Sequence, residues 1–166
     1  AYHFDGSNDY ITNGTIVSSG LSTFFGKTAW TISMWINSDV ASTDSSDRYV
    51  INMGYYTGIF IWSYSGTVWD QCWGVANNTS DFAKAKYSTT LEAKTWYHTT
   101  ATYDSVNLKI YLNGVLDNTA AESGPLLNPT TDLFIGTKNT TEGYDFKGKI
   151  YDFRIYDQAL PEHEIN

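Results

Sequence analysis

The feature that most restricts this chain is a two-residue rhythm of apolar and polar side chains that runs through nearly all of it. Trp30, Ile32, Met34 and Ile36 fall on one face of an extended segment, and Thr31, Ser33, Trp35 and Asn37 on the other. Leu108, Ile110 and Leu112 alternate with Lys109, Tyr111 and Asn113 in the same way. Successive side chains of a strand point to opposite faces, so each run offers one face to a core. A stripe of helical period is not sustained anywhere before the last dozen residues, which points to an all-β chain.

Turn chemistry cuts the rhythm into short strands at Asn13-Gly14, Ser65-Gly66, Asn113-Gly114 and Ser123-Gly124-Pro125. Asn113-Gly114 is the clearest hairpin, because a type I′ turn needs positive φ at both central residues. About a dozen strands follow, the number expected of a two-sheet sandwich. Ser38 to Arg48 and Gly124 to Asp132 lack apolar anchors and read as long surface loops. Pro161-Glu162-His163-Glu164-Ile165 places a proline and acids where the first turn of a helix accepts them, so one short terminal helical turn is expected.

A length of 166 residues suits a single domain over 1–166 with one sizeable core. The net charge of −8 repels phosphate backbones and anionic lipid, so nucleic acid is not an expected partner. Membrane insertion is not expected either, since no apolar run approaches the ~20 residues that span a bilayer. Cys72 is the only cysteine, which excludes an intramolecular disulfide and a thiolate metal cluster. The opening Ala1-Tyr2-His3-Phe4-Asp5-Gly6 lacks the basic and apolar regions of a signal peptide, so the chain is read as mature or as cut from a longer protein.

Five segments in order resemble a known family. They are Phe4-Asp5-Gly6 with Asp9-Tyr10-Ile11; Trp30 to Ile36; Trp96-Tyr97-His98 leading through Tyr103-Asp104 to Asn113-Gly114; Leu133-Phe134-Ile135-Gly136; and Gly148 to Tyr156 with Ala159-Leu160. Together they are similar to the laminin G-like jelly-roll domain of the concanavalin A-like lectin and glucanase superfamily. The resemblance implies two stacked antiparallel sheets with the first and last strands side by side, in an extracellular or cell-surface module of a longer chain. Many such modules bind glycans, while others bind cell-surface proteins or space out neighbouring domains. Trp30, Trp35, Trp96 and His98 lie in framework segments and are expected to be structural.

The resemblance also implies a structural calcium ion joining the two ends of the chain, with Asp5 and Asp152 as its matching acids. Calcium takes six to eight oxygens at about 2.3–2.6 Å, so Asn8, Asp9, carbonyls or waters would complete the shell. The family often carries a second acid where this chain has Tyr151. The alternative is that Asp5 and Asn8 shape a turn, and that Asp152 pairs with Arg154 or Lys149.

A ligand face is expected in the aromatic stretch from Tyr55 to Trp73. Sugar rings stack apolar C–H faces on aromatics and need polar side chains at their edges. Tyr55, Tyr56, Trp62, Tyr64, Trp69, Trp73 and Tyr144 supply the first, and Asp70, Gln71 and Asn77 the second. Aromatics also fill sandwich cores, and that is the competing role for each of these side chains.

Catalysis is not expected. The glucanase branch of the superfamily carries a Glu-x-Asp-x-x-Glu strand that places two acids on one face. This sequence lacks the motif, and its glutamates are scattered. The glycosylation sequons at Asn13, Asn77, Asn78 and Asn139 are expected by chance in a chain this rich in Asn and Thr. The reading is therefore a non-catalytic carbohydrate-binding module, with a protein-interaction domain as the alternative.

Overall fold

The computed structural model describes residues 1–15, 28–40, 48–53, 59–63, 72–75, 83–123, 132–141 and 144–165. Strands β1 (Tyr2–Asp5), β2 (Ile11–Thr15), β3 (Trp30–Ser38) and β4 (Arg48–Met53) open the chain. They are followed by β5 (Ile59–Ser63), β6 (Cys72–Val75), β7 (Ala83–Lys86) and β8 (Tyr97–Tyr103). The last four are β9 (Asn107–Leu112), β10 (Val115–Ala121), β11 (Asp132–Ile135) and β12 (Lys147–Tyr156), with a 3-10 turn at Glu162–Glu164.

The strands form two six-stranded sheets. One runs β1-β12-β3-β8-β9-β10 and the other β2-β11-β4-β5-β6-β7, with every neighbouring pair antiparallel. The alternation read from the sequence sets which face is inside. Trp30, Ile32, Met34 and Ile36 of β3, Ala101 and Tyr103 of β8, and Leu108 and Ile110 of β9 are buried. Ile51, Met53, Trp73, Ala85, Leu133 and Ile135 close the core from the second sheet. Burying each large aliphatic side chain stabilises the sandwich by about 1.5–3 kcal/mol.

β1 and β12 lie side by side, with Phe4 opposite Gly148. The Asn113-Gly114 hairpin is also present, with φ of 52° and 81° at its two central residues. Asn13-Gly14, expected as a turn, lies instead within β2. There Thr12 pairs with Phe134 and Thr15 with Asp132, so Asn13 and Gly14 together oppose Leu133. The turn dipeptide is used as a bulge. Most of the two expected surface loops lies outside the described residues.

After β12 the chain folds back over the outer face of the first sheet. The Thr31 hydroxyl holds it there, donating to the Gln158 carbonyl and accepting from the Leu160 N–H, both at 2.8 Å. Ile165 at the end of this segment is buried. Glu162 sits close enough to help burial raise the pKa of Tyr111, a residue of that outer face.

Candidate functional site

On the outer face of the first sheet, β12, β3 and β8 line up Arg154, Ser33 and Thr100 across three strands in register. One step along, Tyr151, Trp35 and His98 do the same. All of these except Tyr151, together with the returning C-terminal segment, enclose a polar cleft of about 110 Å³. Thr31, Ser33 and Thr100 lie along its floor, and Tyr156, Leu160, Glu164 and Ile165 form one wall.

Trp35 and His98 form the aromatic side of the cleft, with ring centroids 5.2 Å apart and planes tilted by 38°. Trp35 is 37% exposed and Trp96 is 40% exposed, so these two framework tryptophans are surface residues, contrary to the expectation of a structural role. Trp35 lies on the side of the sheet turned away from the core, and Trp96 just before β8. His98 is likewise not a core residue but half-buried on the outer face. Burial lowers its pKa; Asp152 nearby opposes this and Arg154 adds to it.

Asp152 occupies a bulge. β12 sets Tyr151 opposite Trp35 and Arg154 opposite Ser33, so Asp152 and Phe153 share the space facing Met34. The extra residue is absorbed at Asp152, whose φ of 54° is left-handed and uncommon for a residue with a side chain. Arg154 grips its carboxylate from both sides, and this bonding raises the already high arginine pKa.

The expected calcium residues do not converge. Asp5 pairs with Lys147, and Asp152 lies five residues further along β12. At ~3.3 Å per residue that separates them by about 16 Å, so one ion cannot take both carboxylates. Asp5 instead accepts from the Ser7 N–H at 2.7 Å, and Asp9 accepts from the Asp5 N–H at 2.9 Å. Asn8 adopts a φ of 60° and donates its N–H to Asp145 at 3.0 Å. These bonds shape the turn between β1 and β2. Among the described residues no group of three His, Cys, Asp or Glu side chains is close enough to hold a metal.

Of the expected ligand aromatics, Trp73 is fully buried, and its indole N–H donates to Tyr87 and Thr99 at 3.1 Å each. It is a core residue and has no face to offer a sugar. Tyr144 is half-buried, its ring 4.8 Å from the Lys138 ammonium and 6.1 Å from the Tyr49 ring. Trp62 lies on β5, its backbone paired with Tyr49 and Cys72, and its side chain is outside what the structure describes. Tyr55, Tyr56, Tyr64, Trp69, Asp70, Gln71 and Asn77 fall outside the described residues.

Structural comparison finds the same fold in proteins of low sequence identity. A heptameric SAP-like pentraxin from Limulus polyphemus superposes with a TM-score of 0.69 at 16% identity, over 98% of this chain and 78% of the pentraxin. Domain 4 of an extracellular arabinanase from Geobacillus stearothermophilus, solved in complex with arabinotriose, gives 0.69 at 16% identity, over 98% and 73% of the two chains. The receptor-binding domain of botulinum neurotoxin D gives 0.71 at 20% identity, over 98% of this chain and only 41% of that receptor-binding domain. No curated protein sequence matches the chain. The sequence pattern of the family matches residues 5–166, and the chain therefore belongs to the laminin G-like branch of the concanavalin A-like lectin/glucanases superfamily.

Proposed function

We propose that this chain is a non-catalytic, lectin-like carbohydrate-binding module of a larger extracellular protein, and that sugar binds in the outer-face cleft. The observation that carries the reading is the meeting of an exposed Trp35 face with hydroxyl, carboxylate and guanidinium groups in one concave site. An aromatic face for the C–H surface of a ring and polar groups for its edge are what a sugar requires. The arabinotriose complex of the arabinanase domain supports the ligand class. Glycosidase chemistry is disfavoured. Asp152, one of the cleft's two acids, has both oxygens engaged by Arg154, and the paired-glutamate motif is missing from the sequence.

A shallow, partly exposed site predicts weak affinity at each site, roughly −4 to −6 kcal/mol, or near millimolar to high micromolar. Tandem copies or clustered ligands would raise it. A glycan array followed by calorimetry, with arabinotriose among the first ligands, tests the reading. Saturable binding lost in Trp35→Ala supports it, and an array without signal overturns it.

A protein-interaction domain is the second reading. It is favoured by an apolar groove of about 550 Å³ between the edges of β1 and β2, where Tyr2, Ile11 and Tyr151 are exposed. An empty array together with saturable binding of a cell-surface protein, lost in Tyr151→Ala, would select it.

A further inference from the structure

We infer that the outer-face cleft selects a neutral sugar over its acidic counterpart, with Asp152 as the acceptor for sugar hydroxyls and Thr100 as a hydrogen-bonding floor. This rests on the carbohydrate reading and adds the charge class of the ligand and the residues that read it.

The bulge is the first ground. Trp35 faces outward, and its cross-strand partner Tyr151 is exposed on the same face. Strict alternation would then send Asp152 towards the core, as it sends Ile150. The left-handed residue breaks the alternation and brings the carboxylate out into the cleft. A sparsely populated backbone conformation held in the middle of a strand, at the edge of a cavity, is a placement that function uses. Arg154 then fixes the direction of the carboxylate with bonds of 2.8 and 2.7 Å. An ionised carboxylate accepts at about four lone-pair positions, so about two remain for hydroxyl donors.

Charge is the second ground. Two carboxylates, Asp152 and Glu164, line the cleft against one guanidinium, on a chain of net charge −8. The guanidinium is already matched by Asp152, and His98 is held towards its neutral form. An anionic ring would enter against repulsion without a cation of its own, whereas a neutral polyol would not.

Thr100 is the third ground. It is 1% exposed and lines the cleft, and its Oγ1 is buried without a hydrogen-bond partner among the described residues. A buried hydroxyl left unpaired is costly, so a ligand that pairs it gains affinity. The cleft's 110 Å³ is smaller than the ~150 Å³ cavity that takes a whole benzene ring. It therefore receives the edge of one ring, while the rest of an oligosaccharide passes over Trp35.

The test is calorimetry at neutral pH with three matched sets of oligosaccharides: galactose against galacturonate, glucose against glucuronate, and mannose against mannuronate. At least one neutral member is expected to bind, with its uronate at least tenfold weaker. Asp152→Asn, which tolerates the left-handed backbone, is expected to cost about tenfold with the neutral sugar and to narrow the gap to the uronate. Thr100→Val is expected to weaken binding several-fold while the melting temperature holds or rises, which loss of a purely structural hydroxyl would not do. A uronate that binds as tightly as its neutral partner overturns the charge assignment and leaves the carbohydrate reading standing. Wild-type affinity in either variant overturns the role given to that residue. Absence of binding to these sets and to a full glycan array removes the carbohydrate reading itself.

Discussion

Arg154 holds Asp152 by two parallel hydrogen bonds, Nε to Oδ1 at 2.8 Å and Nη2 to Oδ2 at 2.7 Å, and the two residues are two apart on one strand. Residues so spaced share a face of the strand, and the bulge turns that shared face outward rather than towards the core. Arg154→Lys keeps the charge and loses the fork. Because the pair is solvent-exposed, the melting temperature is expected to change little, while sugar affinity falls about tenfold. Calorimetry and a thermal melt on one preparation separate the two effects. Unchanged affinity would mean that the fork does not orient the carboxylate.

Trp73 provides a control with the opposite signature. Removing this buried ring in Trp73→Ala is expected to cost about 3–5 kcal/mol in urea unfolding. Trp73→Phe keeps most of the packing and removes one N–H donor from the Tyr87 and Thr99 hydroxyls, which still bond each other while Tyr87 also donates to the Tyr111 carbonyl, for about 0.5–1.5 kcal/mol. Protein that remains folded should bind sugar as the wild type does, and a selective loss of binding would return Trp73 to the ligand site.

Gly148 lets β12 pass close to β3. Its φ is 148°, and a Cβ there would lie 2.3 Å from the Asn37 carbonyl oxygen and 2.8 Å from Ser38 Cα. Both are backbone atoms and cannot swing aside. Gly148→Ala is expected to destabilise by about 2–4 kcal/mol, or some 5–15 °C of melting temperature. A melt within a degree or two of wild type would show that the strands can part without penalty.

His98 predicts a pH dependence. Its folded pKa lies below the ordinary value of about 6.5, chiefly because it is desolvated beside Trp35. The fold therefore favours neutral imidazole. That contribution is present above about pH 6.5 and is lost as the pH falls through the lowered folded value. The His98 ring is expected to titrate below 6.5 by NMR, and His98→Gln to flatten the acid side of the stability curve. A ring that titrates above 6.5 would show that Asp152 outweighs burial.

The separation of Asp5 from Asp152 predicts how calcium can and cannot act. Any difference in melting between calcium and EDTA should survive Asp152→Asn, because the two acids are about 16 Å apart along β12. A response abolished by that substitution would place Asp152 in an ion's shell after all.

The strands were legible because alternation records which face a sheet buries, and Asn113-Gly114 because only a few residues accept two positive φ angles. The pairing of β1 with β12 came through family resemblance, since periodicity does not say which strands meet. The cleft was harder to see. Its floor and aromatic side come from β3 and β8, where Thr31, Ser33, Trp35, His98 and Thr100 look like the ordinary outward face of two framework strands. A signal was nevertheless present in the last strand. Counting inward from Ile150 by twos reaches Asp152 and Arg154, whereas Phe153 and Ile155 are the residues suited to a core. That slip of phase is the bulge written in the sequence, and the acid at the slip is the residue turned outward.

Thr31 has a consequence for the order of assembly. Its hydroxyl anchors a segment that leaves the ribosome after β12, and that segment supplies Leu160, Glu164 and Ile165 to the cleft. Both sheets can pair before the cavity exists. The cleft is therefore completed only once the sandwich has closed, and on the carbohydrate reading loosening the Thr31 contacts would leave a folded scaffold with its cavity unfinished.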